Sequence, residues 1–539
     1  MSNEEVPVII VGGSLVGLTT SVLLASHGVR HMLVERHRGT AIHPRAASFH
    51  QRTMEIFRSV GLQHTVEQAA EREFIQNGAI ISVDTLRGKE LACFYRSFNE
   101  GVEDLSPTWR LFITQIGLEP VLRERAQSLG AVHHYATEMT RFEQDGSGIT
   151  ATIRPRDGGA ERTVRAQYMI GCDGAHSFVR REVGVGMHGR GGFADCVTIY
   201  FKADMRAMIG DRALSVVYVN HPELLAFFRF SITGDAGFLA VFSTFDAQGN
   251  REVDVGNNLS RERCTDLVRK ALGVGPDYPV EVDDVQPWTA TAATADSFRQ
   301  GRVFLAGDAA HLMPPTGGFG GNTGVADAHN LAWKLAMVLR GQAGAGLLDS
   351  YEPERKPMCE LIVEQAYRRY IERVDPSLPS ADLAAPIDDP SIELGSIYRS
   401  SAILGEETGG GALVEDPHHP SGRPGTRVPH MMLEGANGPV STLDLAGKEF
   451  ALVAGADGGA WVDAARAIAS SGVPLAVHRV GPDGDLAAPD GRFERLVGIA
   501  PDGALLLRPD AVIGWRSRGK ADDPQAALQG AVNRLTFRG

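Results

Sequence analysis

Cysteine is scarce in this chain, and what there is lies scattered. The five cysteines, at positions 93, 172, 196, 264 and 359, show no C-x-x-C spacing. That excludes a disulfide framework, gives no sign of a metal centre, and fits reduced thiols in the cytoplasm. No cysteine follows Cys359, so the C-terminal region cannot carry thiol redox chemistry. Basic blocks are also missing: the net charge is −13, which argues against a nucleic-acid partner. Residues 6–25 form an uncharged run of about the length of a membrane span, but Gly12, Gly13, Ser14 and Gly17 break it. The opening Met-Ser-Asn-Glu-Glu lacks the basic start of a signal peptide, so neither a leader nor a membrane span is expected. What is present is ordinary for a soluble protein: 539 residues, 43% hydrophobic and 22% charged, enough for two or three domains.

The missing residue with the most to say is a glycine. Residues 8–37, VIIVGGSLVGLTTSVLLASHGVRHMLVERH, lay out a buried strand, a glycine turn, a helix and a second strand ending in an acid. This is the plan of a dinucleotide-binding βαβ unit. Gly12 can make the tight turn and Gly17 can let helix pack on strand, but Ser14 stands where the middle glycine should let pyrophosphate approach. A serine adds little volume, and its hydroxyl can donate to a phosphate oxygen. The helix N-terminus keeps its amide donors. Glu35 follows Gly12 at the distance of a ribose-binding carboxylate, with Arg36 beside it. A carboxylate there favours FAD or NAD over NADP.

Two further stretches share this character. In YMIGCDGAHSFVRREVG a strand ends at Asp173-Gly174, and a helix begins near Ser177 with Arg180 in its first turns. In GRVFLAGDAAHLMPPTGGFGGNTGVADAHNLAWKLA a strand over 303–306 runs into Gly307-Asp308. A loop follows that includes Pro315, Gly318 and Gly321, and a helix is expected from about Asn322. Bare backbone lets a flat ring lie close, and the helix end stabilises negative charge on it.

Taken in order, V-G-G-S-L-V-G, G-C-D-G-A-H-S-F-V-R and R-V-F-L-A-G-D-A-A-H resemble the FAD-dependent aromatic hydroxylases, the single-component flavoprotein monooxygenases typified by p-hydroxybenzoate hydroxylase. The resemblance implies Gly12, Ser14 and Gly17 at the pyrophosphate and Glu35 and Arg36 at the adenosine ribose. It places Arg45 near the phosphates, Gln115 by the ribityl chain, and Asp173 and Arg180 in a motif linked to both FAD and NAD(P)H. Asp308 would bind the ribityl and phosphate region, with Pro315, Gly318, Gly321 and Asn322 in the cofactor loop. Downstream, SIYRSSAIL, HPSGRPGTRVPH and STLDLAG are similar to the aromatic polyketide hydroxylases, those acting on aklavinone in particular. Within that group VVYVNHPE and RYIERVDP imply Tyr218 and Arg373 as catalytic residues. A cation beside a substrate phenol lowers its pKa, and a tyrosine can relay the proton.

The implied fold is α/β: a discontinuous FAD-binding domain of the glutathione-reductase type (1–75, 113–185, 298–375) and an antiparallel-sheet substrate domain (76–112, 186–297). A Pro-, Gly-, Asp- and Ser-rich linker (376–430) then leads to a thioredoxin-like domain without cysteines (431–539), which serves packing or a homodimer contact. In that tail, residues 441–455 read as a strand pair. The implied chemistry is ring hydroxylation of a phenolic polyketide through a flavin C4a-hydroperoxide, using NADPH or NADH and O2. Baeyer–Villiger insertion, epoxidation and a purely FAD- and polyketide-binding role stay open. The scattered Trp109, Trp288, Trp333, Trp461 and Trp515 form no W-x-W-x-I-P motif, which sets the flavin-dependent halogenases aside.

Overall fold

The computed structural model describes residues 4–42, 47–245, 251–252, 255, 259–405, 411–470, 474–488 and 491–538. The expected βαβ unit is present: strand Glu4–Val11, helix Leu15–Ser26 and strand His31–Val34, with Glu35 next in the chain. Apolar residues fill the first strand and line the helix nearly all round, because both are covered on every side. Strand Glu4–Val11 is the middle of an eight-stranded sheet, parallel to Arg162–Gly171 on one side and to His31–Val34 on the other. Strand Val303–Leu305 adds in parallel beyond Arg162–Gly171. The three motif turns, at Gly12, Asp173 and Asp308, therefore leave the same edge of one sheet, where such folds bind ligands.

A second, nine-stranded sheet stands over that edge, from His311–Leu312 through Glu281–Ala295, Met187–Lys202, Ala236–Phe245, Leu224–Phe230 and Leu214–His221 to Ala79–Val83 and Glu90–Tyr95. It is antiparallel but for one pair: Leu214–His221 runs parallel to Ala79–Val83. A parallel pair needs a long crossover, and here the chain between the two strands passes through the first sheet. One face carries Val197, Ile199, Val217, Val219, Phe228 and Leu239 into a core under helix Arg261–Leu272. Period-2 alternation turns Tyr218, Phe227, Phe238 and Phe242 to the other face.

Three differences from the sequence expectations are local. The long cofactor-loop helix starts at Phe319, three residues before Asn322, because Gly318 takes a left-handed conformation (φ 69°) and ends the loop there. In the expected strand pair of the tail, the first strand stops at Ser441, whose side chain caps a 3-10 turn at Thr442–Asp444. The linker carries a short helix, Asp389–Leu394, started by the Asp388 side chain and Pro390. The tail itself forms a four-stranded sheet in the order Leu475–Arg479, Phe450–Ala454, Ala504–Leu507, Ile513–Ser517, with helices Gly459–Ser470 and Pro524–Leu535. It packs on Trp333 and Met337 of the long helix Phe319–Leu339. Arg508 of the tail, fully buried, donates to both Glu354 oxygens (2.6 and 2.9 Å), and Lys334 reaches the same carboxylate at 2.8 Å. Among the described residues no helix is long and apolar enough to cross a membrane.

Candidate active site

At the first turn, Gly12 (φ 104°) and Gly17 are both necessary. A Cβ on Gly12 would fall 2.3 Å from the Cys172 carbonyl oxygen, and one on Gly17 would fall 1.9 Å from the Gly12 oxygen. Ser14 needs no glycine, since its backbone is extended (φ −95°). Its hydroxyl makes no cap bond to the helix it precedes, so apart from the Leu15 amide, which Glu119 holds, that helix end keeps its donors for an anion. Instead it donates to Glu119 Oε1 at 2.5 Å and accepts from Gln115 Nε2 at 3.1 Å. Ser14 and Gln115 thus meet at one point. Glu35 accepts from the Gly13 amide (2.6 Å) and from the His37 amide (2.7 Å), which fixes the carboxylate beside the glycine turn with Arg36 exposed next to it. Arg45 lies outside the described residues.

At the second turn Asp173 is a structural cap: it accepts from Ser177 Oγ (2.5 Å) and the Val179 amide (3.0 Å), starting helix Phe178–Glu182. Arg180 on that helix donates to the carbonyls of Ala175 and Ala309, both at 2.8 Å. It therefore ties the second turn to the third. There Asp308 is exposed at the strand end. The preceding Gly307 amide is held by the buried Asp327 carboxylate, which also takes His311 Nε2 (2.7 Å) and Arg355 Nε (2.8 Å). His311, Asp327 and Cys359 cluster closely enough to resemble a metal site. The Arg355 guanidinium on the same carboxylate makes the group an ion-pair network that supports the turn.

Pro315 is exposed in the loop, and Gly318 and Gly321 flank Phe319. The Asn322 side chain faces inward: its oxygen accepts from the His50 amide and Thr53 Oγ1, and its nitrogen donates to the carbonyls of Ser48 and Gly318. It shapes the cofactor loop from behind. His50, buried, adds a bond to the Gly317 carbonyl at 3.2 Å. Burial pushes its pKa below the ordinary value, with Glu393 opposing and Arg110 reinforcing the shift.

Tyr218 and Arg373 come together. Arg373 closes helix Tyr351–Arg373 close enough to Tyr218 for the tyrosine to favour its charged form. Phe94 lies edge-on to Tyr218 (5.7 Å between ring centroids), with the Arg373 guanidinium 5.6 Å above it. The chain order hides this pairing, since a strand of the upper sheet and a helix of the lower one supply its halves. Sequence reasoning missed Tyr95, Asp389, His50 and Glu393, which surround the pair and the loop. It also missed Arg229, sandwiched between Phe74 and Phe112 and donating to the Ala47 carbonyl.

A parallel sheet with its glycine turn, ribose acid and two supporting turns on one edge, under an aromatic-faced sheet, defines a flavoprotein oxidoreductase. Comparison with known proteins makes this specific. Residues 5–366 match the family described as FAD binding domain, and residues 421–536 match aromatic-ring hydroxylase, C-terminal. A 4-methyl-5-nitrocatechol 5-monooxygenase of Burkholderia sp is 47% identical, over 99% of this chain and 98% of that one. The tetracenomycin A2 monooxygenase-dioxygenase of Streptomyces glaucescens is 40% identical, over 100% and 98%. The crystal structure of aklavinone-11 hydroxylase with FAD and aklavinone superposes with a TM-score of 0.92 at 37% identity, covering all of both chains. The chain belongs to this family of single-component FAD-dependent aromatic monooxygenases, with FAD as cofactor and O2 and a reduced nicotinamide as co-substrates. The glycine cradle and the free helix amides fit that cofactor.

Proposed function

We propose that the protein hydroxylates the ring of a phenolic aromatic polyketide, and that Tyr218 and Arg373 meet the substrate. The observation that carries this is the gathering of Tyr218 and Arg373 around the Phe94 ring at an aromatic face of the upper sheet. FAD supplies the redox chemistry, taking electrons from NADPH or NADH and activating O2. The chain's own residues do the rest. Gly12, Gly17 and the amides after Ser14 would seat the pyrophosphate, Glu35 would accept from the ribose, and Asp308 would serve the ribityl chain. Arg373 attracts the phenolate form of the substrate and Tyr218 holds its proton at the hydroxyl. The aromatic face excludes water from the reacting ring.

The finer domain reading follows the same lines: FAD-binding segments 1–75, 113–185 and 298–375, substrate segments 76–112 and 186–297, a linker and a tail. A thioredoxin-like tail is supported by its order. The parallel pair Phe450–Ala454 and Leu475–Arg479 is joined through helix Gly459–Ser470, and the hairpin Ala504–Leu507/Ile513–Ser517 and helix Pro524–Leu535 follow. A second substrate reading, a single-ring nitrocatechol, is favoured by the 47% identity to the Burkholderia enzyme.

The test is oxidation of NADPH and of NADH by the FAD-loaded protein with aklavinone, a naphthacene phenol and 4-methyl-5-nitrocatechol, with products read by mass and NMR. A new ring hydroxyl on a polyketide supports the first reading. Turnover of the nitrocatechol alone supports the second. A lactone or opened ring points to Baeyer–Villiger chemistry, and oxidation that no aromatic stimulates points to a binding protein.

A further inference from the structure

The Arg373–Tyr218 pair is braced by a carboxylate that the sequence hides in the linker. Arg369 and Arg373 sit one turn apart on helix Tyr351–Arg373, so their like charges face the same neighbourhood. Asp389, the first residue of helix Asp389–Leu394, answers both. Its Oδ1 accepts from Arg369 Nη2 (2.6 Å) and Nε (3.0 Å), and its Oδ2 accepts from the Tyr95 hydroxyl (2.8 Å). Tyr95 adjoins Phe94, the ring under Arg373 and against Tyr218. Arg369 in turn lies 5.1 Å from the ring of Phe319, where the cofactor-loop helix begins. One carboxylate therefore joins Arg369, which reaches the cofactor loop, to the upper-sheet strand whose Phe94 lies under Arg373 and against Tyr218.

The charges around this point can be set out in full. Helix Tyr351–Arg373 presents Arg369 and Arg373, and helix Asp389–Leu394 presents Asp389 and Glu393. Arg110 pairs with Glu393 at 2.8 Å, and His50 stands behind Glu393 at 3.8 Å. Strand Glu90–Tyr95 brings the Tyr95 hydroxyl and strand Leu214–His221 that of Tyr218. Burial would raise the Asp389 carboxyl, but Arg369, Arg373 and Tyr95 outweigh it and hold it below the usual range. Burial likewise opposes the charge on Arg373, and Tyr218 and Asp389 restore it. Among these described residues, three guanidiniums thus face two carboxylates, an excess of one positive charge.

We propose that Asp389 is a positioning residue: through Arg369 and Tyr95 it sets the Phe94 strand on which Arg373 and Tyr218 pack, and it trims the pocket to an excess of one positive charge, matched to a substrate bound as a mono-anionic phenolate. This rests on the reading of Tyr218 and Arg373 as substrate contacts.

The probe is 4-methyl-5-nitrocatechol, whose ionisation is visible by absorbance, bound to the FAD-loaded full chain without NAD(P)H. Its ionisation midpoint is followed in the wild type, Asp389→Asn, Asp389→Glu, Arg369→Met and Arg373→Met. Asp389→Asn leaves an extra positive charge and is expected to lower the bound midpoint by about one pH unit. It also lowers kcat about tenfold with little change in KM, because Arg373 loses its aim. Asp389→Glu restores the wild-type midpoint. Arg369→Met raises it by about one unit, which keeps the proposal testable if the asparagine variant does not fold. An unmoved midpoint in Asp389→Asn or Arg369→Met overturns the proposal, as does a wild type that leaves the probe's own ionisation unchanged. Arg373→Met separates the two readings. If it binds the probe with an unmoved midpoint, the substrate role of the pair fails. If it raises the midpoint while Asp389→Asn does nothing, only the role of Asp389 fails.

Discussion

Replacing Ser14 by alanine tests why serine stands in the glycine fingerprint. In the structure the hydroxyl serves Glu119, not the phosphate site directly. Glu119 is fully buried, and burial raises its carboxyl pKa; bonds from Ser14, Ala41 and Leu15 oppose that rise. Ser14→Ala removes a 2.5 Å bond to that carboxylate and leaves the 2.6 Å bond from the Ala41 amide and the Gln115 bond in place. A hydrogen bond to a charged group is worth roughly 1.5–3 kcal/mol, so the variant should lose about 2 kcal/mol in urea unfolding at neutral pH. The sign with pH follows. A carboxyl with a raised folded pKa takes up protons in the fold before the unfolded chain does, so its burden is greatest at high pH and fades as pH falls towards the unfolded value. The variant's deficit should therefore shrink as pH falls towards the ordinary carboxylate range. FAD should still bind, since the helix amides are untouched. Equal stability of variant and wild type at neutral pH, or a deficit that grows on acidification, would refute the assignment of Ser14 to Glu119.

Other perturbations have sharper outcomes. Gly17→Ala drives a methyl into the Gly12 carbonyl, so the protein should purify without yellow colour, which an absorbance spectrum checks. Among the described residues, Arg508→Met leaves Lys334 as the one cation paired with Glu354 and takes the guanidinium from buried Asp510, and breaking a buried pair of this kind costs about 3–5 kcal/mol, read by chemical denaturation. Tyr218→Phe and Arg373→Met should each lower kcat by about 10²-fold or more while FAD content stays constant, measured by substrate-stimulated NAD(P)H oxidation. Burial, helped by Arg340 and Lys448, pushes His27 down to about 4. It stays neutral in the fold while the unfolded chain protonates below about pH 6.5, so stability is full above that pH and falls as pH drops towards 4. A urea series across that window shows the loss, and His27→Gln should flatten it.

Much of the cofactor site was legible because its signals are local. Gly12 and Gly17 are demanded by contacts within a few residues or between adjacent strands, and Ser177 starts its helix by a side-chain bond three residues on. In the tail, helix Gly459–Ser470 and the hairpin Ala504–Leu507/Ile513–Ser517 were legible from their patterns, but the turn at Thr442–Asp444 and helix Pro524–Leu535 were not. The Tyr218–Arg373 pair came from family resemblance, not from periodicity, because two separate sheets and a helix set its distance. Asp389 and Glu393 were not legible as site residues. Their helix has six residues, too few for an apolar period, in a stretch whose Pro, Gly and Asp content resembles a linker. The one local signal was Asp388-Asp389-Pro390, an N-cap followed by proline at a helix start. Even so, nothing in the chain said which arginines that helix would meet.

The buried knot of Glu354, Lys334 and Arg508 sets an order of events during synthesis. Glu354 and Arg508 are 154 residues apart, so a ribosome adding about 5–20 residues per second separates them by about 8–30 s. Over that interval Lys334 of the long helix and Glu354 of the helix that follows it have no guanidinium to complete them, and Trp333 has no tail to pack against. The helix that opens at the cofactor loop is thus anchored last at its far end. A nascent chain halted before Arg508 would hold the cofactor motifs without the buried anchor at the far end of that helix.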